Sequence, residues 1–320
     1  MLAMLRLALL VVTLGLPGIG SAAEYALAPG QDLIGETTLI RARYEDTFVS
    51  LARTHNVGFE ALRRANPDVD AWLPGEGTQI VVPAQFVLPR APRRGIVINV
   101  AELRLYYFPD GDGGRVVTHP ISIGRMDWAT PLGTTSVVSK VAKPSWYPPE
   151  SIRAEHAARN DPLPPVVPPG PDNPLGDHAL RLGLPGYLIH GTNRPSGVGM
   201  RVTHGCIRMF PEDIEALFNV VASGTQVHIV NQPYKLGWSD GGLYLEAHPP
   251  LHEQQAVEEW TAATELTRAY VAATEERRTE VDWEWAERVM GAARGIPEFV
   301  SIAAVQTELP LAADNELGSQ

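Results

Sequence analysis

Two short stretches hold the residues best suited to chemistry. One is His190-Gly191-Thr192-Asn193; the other begins thirteen residues after that histidine and reads Thr203-His204-Gly205-Cys206-Ile207-Arg208. Cys206 is the only cysteine among 320 residues. A thiol attacks as thiolate, and with an ordinary pKa near ~8.5 only a few per cent is ionised at neutral pH. An imidazole that can take its proton therefore decides whether it is a nucleophile or a small buried hydrophobe. His190 and His204 are both near enough in sequence to be that base. The same residue types, with His178 or His119 added, could instead ligate zinc. Neither HExxH nor CxxC spacing occurs, and a hydrolytic zinc site also presents a carboxylate base, so the residues favour thiol nucleophilic catalysis with no metal and no cofactor.

The N-terminus strengthens that reading. Arg6, an apolar run from Leu7 to Leu16, a break at Pro17-Gly18 and the small residues Ser21-Ala22-Ala23 make residues 1–23 a signal peptide cleaved before Glu24. The run is too short for a permanent membrane anchor, and no later stretch of about eighteen apolar residues follows, so no transmembrane anchor is expected in the mature chain. A lone cysteine in an exported chain cannot form an internal disulfide and is left as a reactive candidate. Stability must then come from a packed core, which 44% hydrophobic residues can supply. A net charge of −11 argues against a nucleic-acid surface.

Several elements must position these residues. Residues 24–37 lack periodicity. Residues 38–83 form a unit of their own: Leu39-Ile40 suggest a strand, Asp46-Thr47 cap a helix with Phe48, Leu51 and Ala52 on its apolar face, a second short helix stops at Asn66-Pro67, and Leu73-Pro74-Gly75 turns into a strand at Gln79–Val82. Residues 84–94, rich in proline and arginine, read as a semi-rigid linker. Strands are expected at Ile96–Val100, Leu103–Phe108, Arg115–Ile123 and Thr134–Val141, with a hairpin loop at Pro109–Gly114, giving an antiparallel sheet.

Ten prolines between Pro144 and Pro174 exclude regular helix over most of that stretch. Its apolar Trp146, Tyr147, Ile152, Leu163 and Val166-Val167 suggest a docked flap. Tyr187–Ile189 reads as a buried strand ending in His190, and Pro211–Val221 as a helix with Glu212 and Asp213 at its positive end and Ile214, Leu217, Phe218 and Val221 on one face. Gln226–Val230 returns to the sheet. Beyond a short Leu243–Leu245 strand, His252–Arg278 and Val281–Ala293 read as helices. Val257, Trp260, Ala263 and Leu266 form the stripe of the first; Trp283, Ala286 and Met290 form that of the second.

Residues 38–83, with their βααβ order, Tyr44-x-Asp46-Thr47, Asn66-Pro67, Pro74-Gly75 and Ile80–Pro83, resemble a LysM module. That likeness implies binding of N-acetylglucosamine-containing glycan, with Asn66, Asp46 and Thr47 as contacts. His190 followed by Thr203-His204-Gly205-Cys206, together with Gly124, Thr130-Pro131-x-Gly133 and Val166–Gly176, resembles the L,D-transpeptidases with a YkuD-type catalytic domain, over roughly residues 95–235. Arg208 stands where the general pattern often has asparagine, a difference that marks a subfamily.

The resemblance implies a mainly β fold: an antiparallel β-sandwich or barrel-like sheet with a helix after the cysteine, flanked by the βααβ module and by a mainly helical extension over 236–308, with a disordered tail at 309–320. It also implies the reaction. A periplasmic enzyme cleaves the diaminopimelate–D-alanine bond of peptidoglycan tetrapeptide stems and passes the acyl group to a diaminopimelate amine or an outer-membrane lipoprotein lysine. A hydrolase of the same fold and a silent wall-binding protein are the alternatives. In this reading Cys206 is nucleophile, His190 base, His204 an orienting group, and the N–H groups near Gly205 and Cys206 donate to the oxyanion. Arg208 is placed to grip a stem carboxylate, with Thr203, Gly191, Thr192 and Arg201 as further substrate contacts and Arg125 as a weaker option.

Overall fold

The first helix starts where two hydroxyl side chains satisfy each other's backbone. Ser50 N donates to Thr47 Oγ1 at 3.1 Å and Thr47 N donates to Ser50 Oγ at 3.0 Å, a reciprocal cap worth about 1 kcal/mol. The computed structural model describes residues 23–111, 114–256 and 259–302. Residues 1–22 of the expected signal peptide, Val257 and the segment 309–320 lie outside the described residues. The N-terminal part runs β1 (Ala23–Ala26), β2 (Leu33–Arg41), α1 (Phe48–Thr54), α2 (Phe59–Ala65) and β3 (Gln79–Val87), with β2 and β3 antiparallel from Leu33↔Val87 to Arg41↔Gln79. Phe48, Leu51, Leu62, Ile80 and Val82 form its core.

The three residues expected to touch glycan serve this unit instead. Asn66 is buried, and its amide donates to Leu62 O and Val81 O at 2.8 Å while Oδ1 accepts from Val81 N at 2.7 Å. It staples the end of α2 to β3. Thr47 is the cap just described, and Asp46 Oδ2 accepts from Arg43 N at 2.7 Å to close the turn.

Strands also reach into segments expected to be irregular. β1 pairs with a strand of the large sheet, and β3 runs on through Pro83 to Val87, inside the stretch read as a linker. Proline is accommodated because a two-stranded ribbon leaves one edge of each strand unpaired. The remainder of that stretch is pinned, Arg93 to Asp32 and Arg90 to Glu275 at 3.2 Å.

The large sheet is built from β4 (Gly95–Asn99), β5 (Arg104–Phe108), β6 (Arg115–Pro120), β8 (Gly133–Ala142), β9 (His178–Leu182), β10 (Leu188–His190), β12 (Ile207–Arg208) and β13 (Gln226–Val230). The order is β1-β6-β5-β4-β13-β8-β9-β10-β12, while β7 (Ile123–Gly124) and β11 (Arg201–Thr203) form a small ribbon. Pairing is mostly antiparallel as expected, but β4/β13, β10/β12 and β7/β11 are parallel.

Ile96 and Leu105 from one half share a core with Leu180, Ile189 and Ile207 from the other, so the sheet curls on itself. Ser122 and Arg208 exchange backbone hydrogen bonds at 2.8 and 3.0 Å, bringing the last strand back beside the end of β6. Helix α4 (Pro211–Val220) covers the core with Ile214 and Leu217, proline in its first turn as the sequence predicts. The proline-rich flap differs from expectation: α3 (Glu150–Ala158) occupies its one long gap without proline.

The C-terminal part is less helical than its sequence suggests. β14 (Tyr234–Ser239), β15 (Gly242–Ala247) and β16 (Glu298–Phe299) form a sheet, against which α6 (Ala262–Thr274) and α7 (Trp283–Ala292) pack after the short α5 (His252–Gln255). Leu266, Ala286 and Met290 face that core, whereas Ala263 and Trp283 are exposed.

A buried ionic cluster joins the three parts. Lys235 on β14 pairs with Glu102 and, at 3.1 Å, with Glu246, and donates to Val87 O at 2.6 Å; His248 donates to Glu246 at 2.6 Å. Removing one partner of such a cluster strands buried charge. Lys235→Met should therefore lower unfolding free energy by about 3–5 kcal/mol in a denaturant titration. A midpoint unchanged from the parent chain would mean the cluster does not hold the parts together.

Candidate functional site

The alternation of a strand and the register of its neighbour decide which side chains meet. Ile189 pairs with Ile207 and His190 with Arg208 in parallel register, and paired residues share a face. Ile189 and Ile207 are fully buried in the core, so His190 and Arg208 project from the opposite face, and Cys206 joins them by the same alternation.

The turn carrying Cys206 is fixed on all sides. Thr203 Oγ1 donates to Cys206 O at 2.6 Å, and Thr130 Oγ1 donates to Gly205 O at 2.8 Å while accepting from Gly124 N at 3.1 Å. Gly205 has φ +100°, and a Cβ there would lie 2.8 Å from Tyr187 Cε1, so only glycine fits. A Cβ on Gly124 would lie 1.8 Å from Trp128 O, which explains glycine in the strand facing this turn. Among the described residues neither the Gly205 nor the Cys206 N–H is engaged by an acceptor, which leaves both able to meet an oxyanion.

His190 is buried, and its Nδ1 donates to Gly191 O at 2.6 Å. A carbonyl accepts only, so that bond fixes the tautomer and leaves Nε2 with its lone pair, as a general base needs. Burial and, next, the Arg208 guanidinium push the His190 pKa down to about 3. Cys206 is half-buried with Sγ 3.6 Å from Gly186 O, and burial pushes its thiol up, opposed by a backbone hydrogen bond with Leu188 and by Arg208.

Both shifts favour neutral partners, and among the described residues no hydrogen bond joins the thiol to the imidazole. Both groups therefore rest neutral, as thiol and imidazole. Alkylation by iodoacetamide should then accelerate with pH through and beyond ~8.5, the ordinary thiol value, without a plateau near neutrality. A rate independent of pH from about 5 to 8 would instead reveal a preformed thiolate–imidazolium pair.

His204 lies two residues before Cys206 in the same turn, edge-on to Trp128 at a ring separation of 5.2 Å. Its Nε2 donates to Glu155 Oε2 at 3.0 Å. Glu155 also receives Arg125 and Arg159, each at 2.7 Å, and these partners, Arg125 first and His204 second, hold its carboxyl down at about 2. Glu155 sits on α3, so the flap is fastened directly to the turn that carries Cys206. Its sequence signal is the proline-free Glu150–Asp161 interval inside the flap; nothing in its spacing points to His204, 49 residues away.

The family model described as the YkuD L,D-transpeptidase catalytic domain matches residues 93–229. The chain is 46% identical over 250 residues to the Escherichia coli protein named "Probable L,D-transpeptidase YcfS", covering 76% of this chain and 77% of that one. It is 40% identical over 273 residues to "Probable L,D-transpeptidase YbiS" of the same organism, covering 84% and 89%. The chain belongs to the L,D-transpeptidase family.

Among solved L,D-transpeptidases, the Enterococcus faecium catalytic domain aligns at 21% identity over 44% of this chain and 100% of that chain, with a TM-score of 0.34. The Mycobacterium tuberculosis L,D-transpeptidase 3 aligns at 20% over 50% and 73%, with a TM-score of 0.33. Among the described residues no helix is long and apolar enough to cross a membrane.

Within this candidate site the residues expected to touch substrate divide sharply. Thr203, Gly191 and Thr192 are buried and committed internally: Thr203 to the Cys206 carbonyl, Gly191 O to His190, and Thr192 Oγ1 to Arg194 N at 2.9 Å. They position the turn rather than face a ligand. Arg201 is a correction of the same kind. Its fork is filled by Glu253 at 3.1 and 2.7 Å and its Nε by Gly124 O at 3.1 Å, so it has no free donor pair for a carboxylate. Arg125 is similarly spent on Glu155 and Asp127. Arg208 is the exception, in no ion pair or side-chain hydrogen bond among the described residues.

Proposed function

We propose that this chain is a periplasmic L,D-transpeptidase acting on peptidoglycan through a Cys206 thioester. The observation that carries the reading is a lone half-buried thiol beside a histidine on the same strand face, whose Nδ1–H is held by the Gly191 carbonyl so that Nε2 keeps its lone pair. As Cys206 Sγ bonds to the carbonyl carbon of diaminopimelate in a tetrapeptide stem, its proton passes to His190 Nε2. The N–H groups of Gly205 and Cys206 stabilise the oxyanion. Collapse breaks the amide bond, and the imidazolium returns the proton to the departing D-alanine amine. An acceptor amine, of diaminopimelate or of a lipoprotein lysine, then attacks the thioester, His190 takes its proton and gives it to the departing sulfur.

His204, held by Glu155, orients the turn. Arg208 draws in a stem carboxylate. Residues 38–83 bring the enzyme to wall glycan as a LysM-like module, with exposed Tyr44, Trp72 and Leu73 as an apolar surface on which a sugar ring can lie.

Purified protein incubated with sacculi, followed by muramidase digestion and mass spectrometry, tests the reading. Dimers linked between two diaminopimelates, or lipoprotein-linked muropeptides, are expected. Loss of existing links without new ones would make the enzyme a hydrolase, and unchanged sacculi would overturn the proposal.

A further inference from the structure

Around the catalytic turn, several arginine side chains are matched by carboxylates of this chain. Arg201 holds Glu253, Arg125 and Arg159 hold Glu155, and Arg53 holds Glu212 at 2.7 Å. Arg208 and Arg194 have no such partner among the described residues, in a chain whose acidic side chains outnumber its basic ones, 37 to 26. Arg208 is largely withdrawn from solvent, and its Nε is buried with no hydrogen-bond partner. An unsatisfied buried N–H of this kind costs roughly 1–3 kcal/mol, more on a charged group, and a ligand that accepts from it relieves that cost.

Arg208 shares a strand face with His190 and Cys206. Arg194 is exposed in the loop that follows His190, anchored through its backbone N–H to Thr192 Oγ1, and the same loop reaches Arg208, whose Nη1 lies 3.5 Å from where a Cβ on Gly197 would stand. Two unneutralised guanidiniums beside a nucleophile form a site for a carboxylate supplied by the substrate.

Resting on the acyl-transfer reading above, we propose that Arg208 and Arg194 together bind the terminal carboxylate of the residue that leaves. In an amino-acid leaving group the carboxylate lies within about 4 Å of the attacked carbonyl carbon, one peptide unit away. Arg208 stands two residues along the strand from Cys206, a matching distance for a long side chain. The carboxylate completes the buried Nε and separates the two like charges. A carboxamide, or a stem extended by one more residue, presents no anion at that point.

Three synthetic donors test this by stopped-time mass spectrometry of the acyl-enzyme: a tetrapeptide acid, its C-terminal carboxamide, and the pentapeptide acid. The parent enzyme should acylate with the tetrapeptide acid about 100-fold faster, in kcat/KM, than with either other donor, as expected for a desolvated charge-assisted contact. In Arg208→Gln the acid-to-amide ratio should fall to near one, with Arg208→Lys retaining part of it. The exposed Arg194→Gln, which has no buried contact to lose, should reduce the ratio several-fold.

Equal rates for acid and amide in the parent enzyme, or full discrimination persisting in both glutamine variants, would overturn the proposal while leaving the thioester reading intact. Absence of any acyl-enzyme from all three donors would overturn the thioester reading itself.

Discussion

Cys206→Ala is expected to eliminate the acyl-enzyme and all cross-linked product while leaving the fold as it is. The proposed reaction passes through a bond to Sγ, so there is no partial route once sulfur is gone. What would remain is substrate binding and two N–H donors, and removing the nucleophile from comparable covalent machinery lowers kcat by on the order of 10⁴–10⁶. Stability should hardly change, because Cys206 is half-buried at a turn and belongs to none of the hydrophobic clusters.

Cys206→Ser separates nucleophile from shape. A hydroxyl keeps the volume but is far less acidic, and His190, held down at about 3, is too weak a base to compensate. Intact-mass analysis after incubation with a tetrapeptide donor reads both variants directly, and thermal unfolding checks the fold. Acylation persisting in the alanine variant would remove the thiol from the mechanism.

Residue type and spacing alone make the candidate site legible. Cys206, His190, His204 and Arg208, within nineteen residues, fall on one turn and one strand end, because the strand before His190 and the helix after Phe210 announce themselves by apolar pattern and by Pro211. What stays hidden in the sequence depends on partners distant in the chain. Asn66 looks like a ligand-binding or stop residue until Val81 arrives to take its amide. Arg201 looks free until Glu253, 52 residues later, fills its fork. Glu155 sits among prolines that argue against helix, yet the proline-free interval is long enough for α3 and delivers the carboxylate that holds His204. β1 carries too short a pattern to be read alone and exists because β6 offers an edge, with Tyr25 opposite Val116. Tertiary pairing overrides local pattern in each of these cases.

His190→Ala should reduce the rate of acylation by roughly 10²–10⁴, the range for loss of a general base, with KM little changed. The variant also strands the Gly191 carbonyl, at a cost of about 1–3 kcal/mol, so folding must be measured beside activity. His190→Gln can still donate to that carbonyl but offers no basic nitrogen, and should recover stability without recovering rate.

The pH profile supplies the readout that a purely structural histidine would not move. The base works only as neutral imidazole. Because burial and Arg208 depress its folded pKa to about 3, well under the ordinary ~6.5, kcat/KM for acylation should hold as pH falls through 6 and 5 and be lost only on approaching 3. The same displacement acts on stability: the unfolded chain binds the proton between those two values and the folded one does not, so unfolding free energy declines as pH drops from about 6.5 toward 3. Arg208→Gln removes one of the two influences holding the imidazole neutral, and should move the acid limb of the acylation profile upward. An acid limb near 6.5 in the parent enzyme, insensitive to Arg208, would show that His190 is not the group that takes the thiol proton.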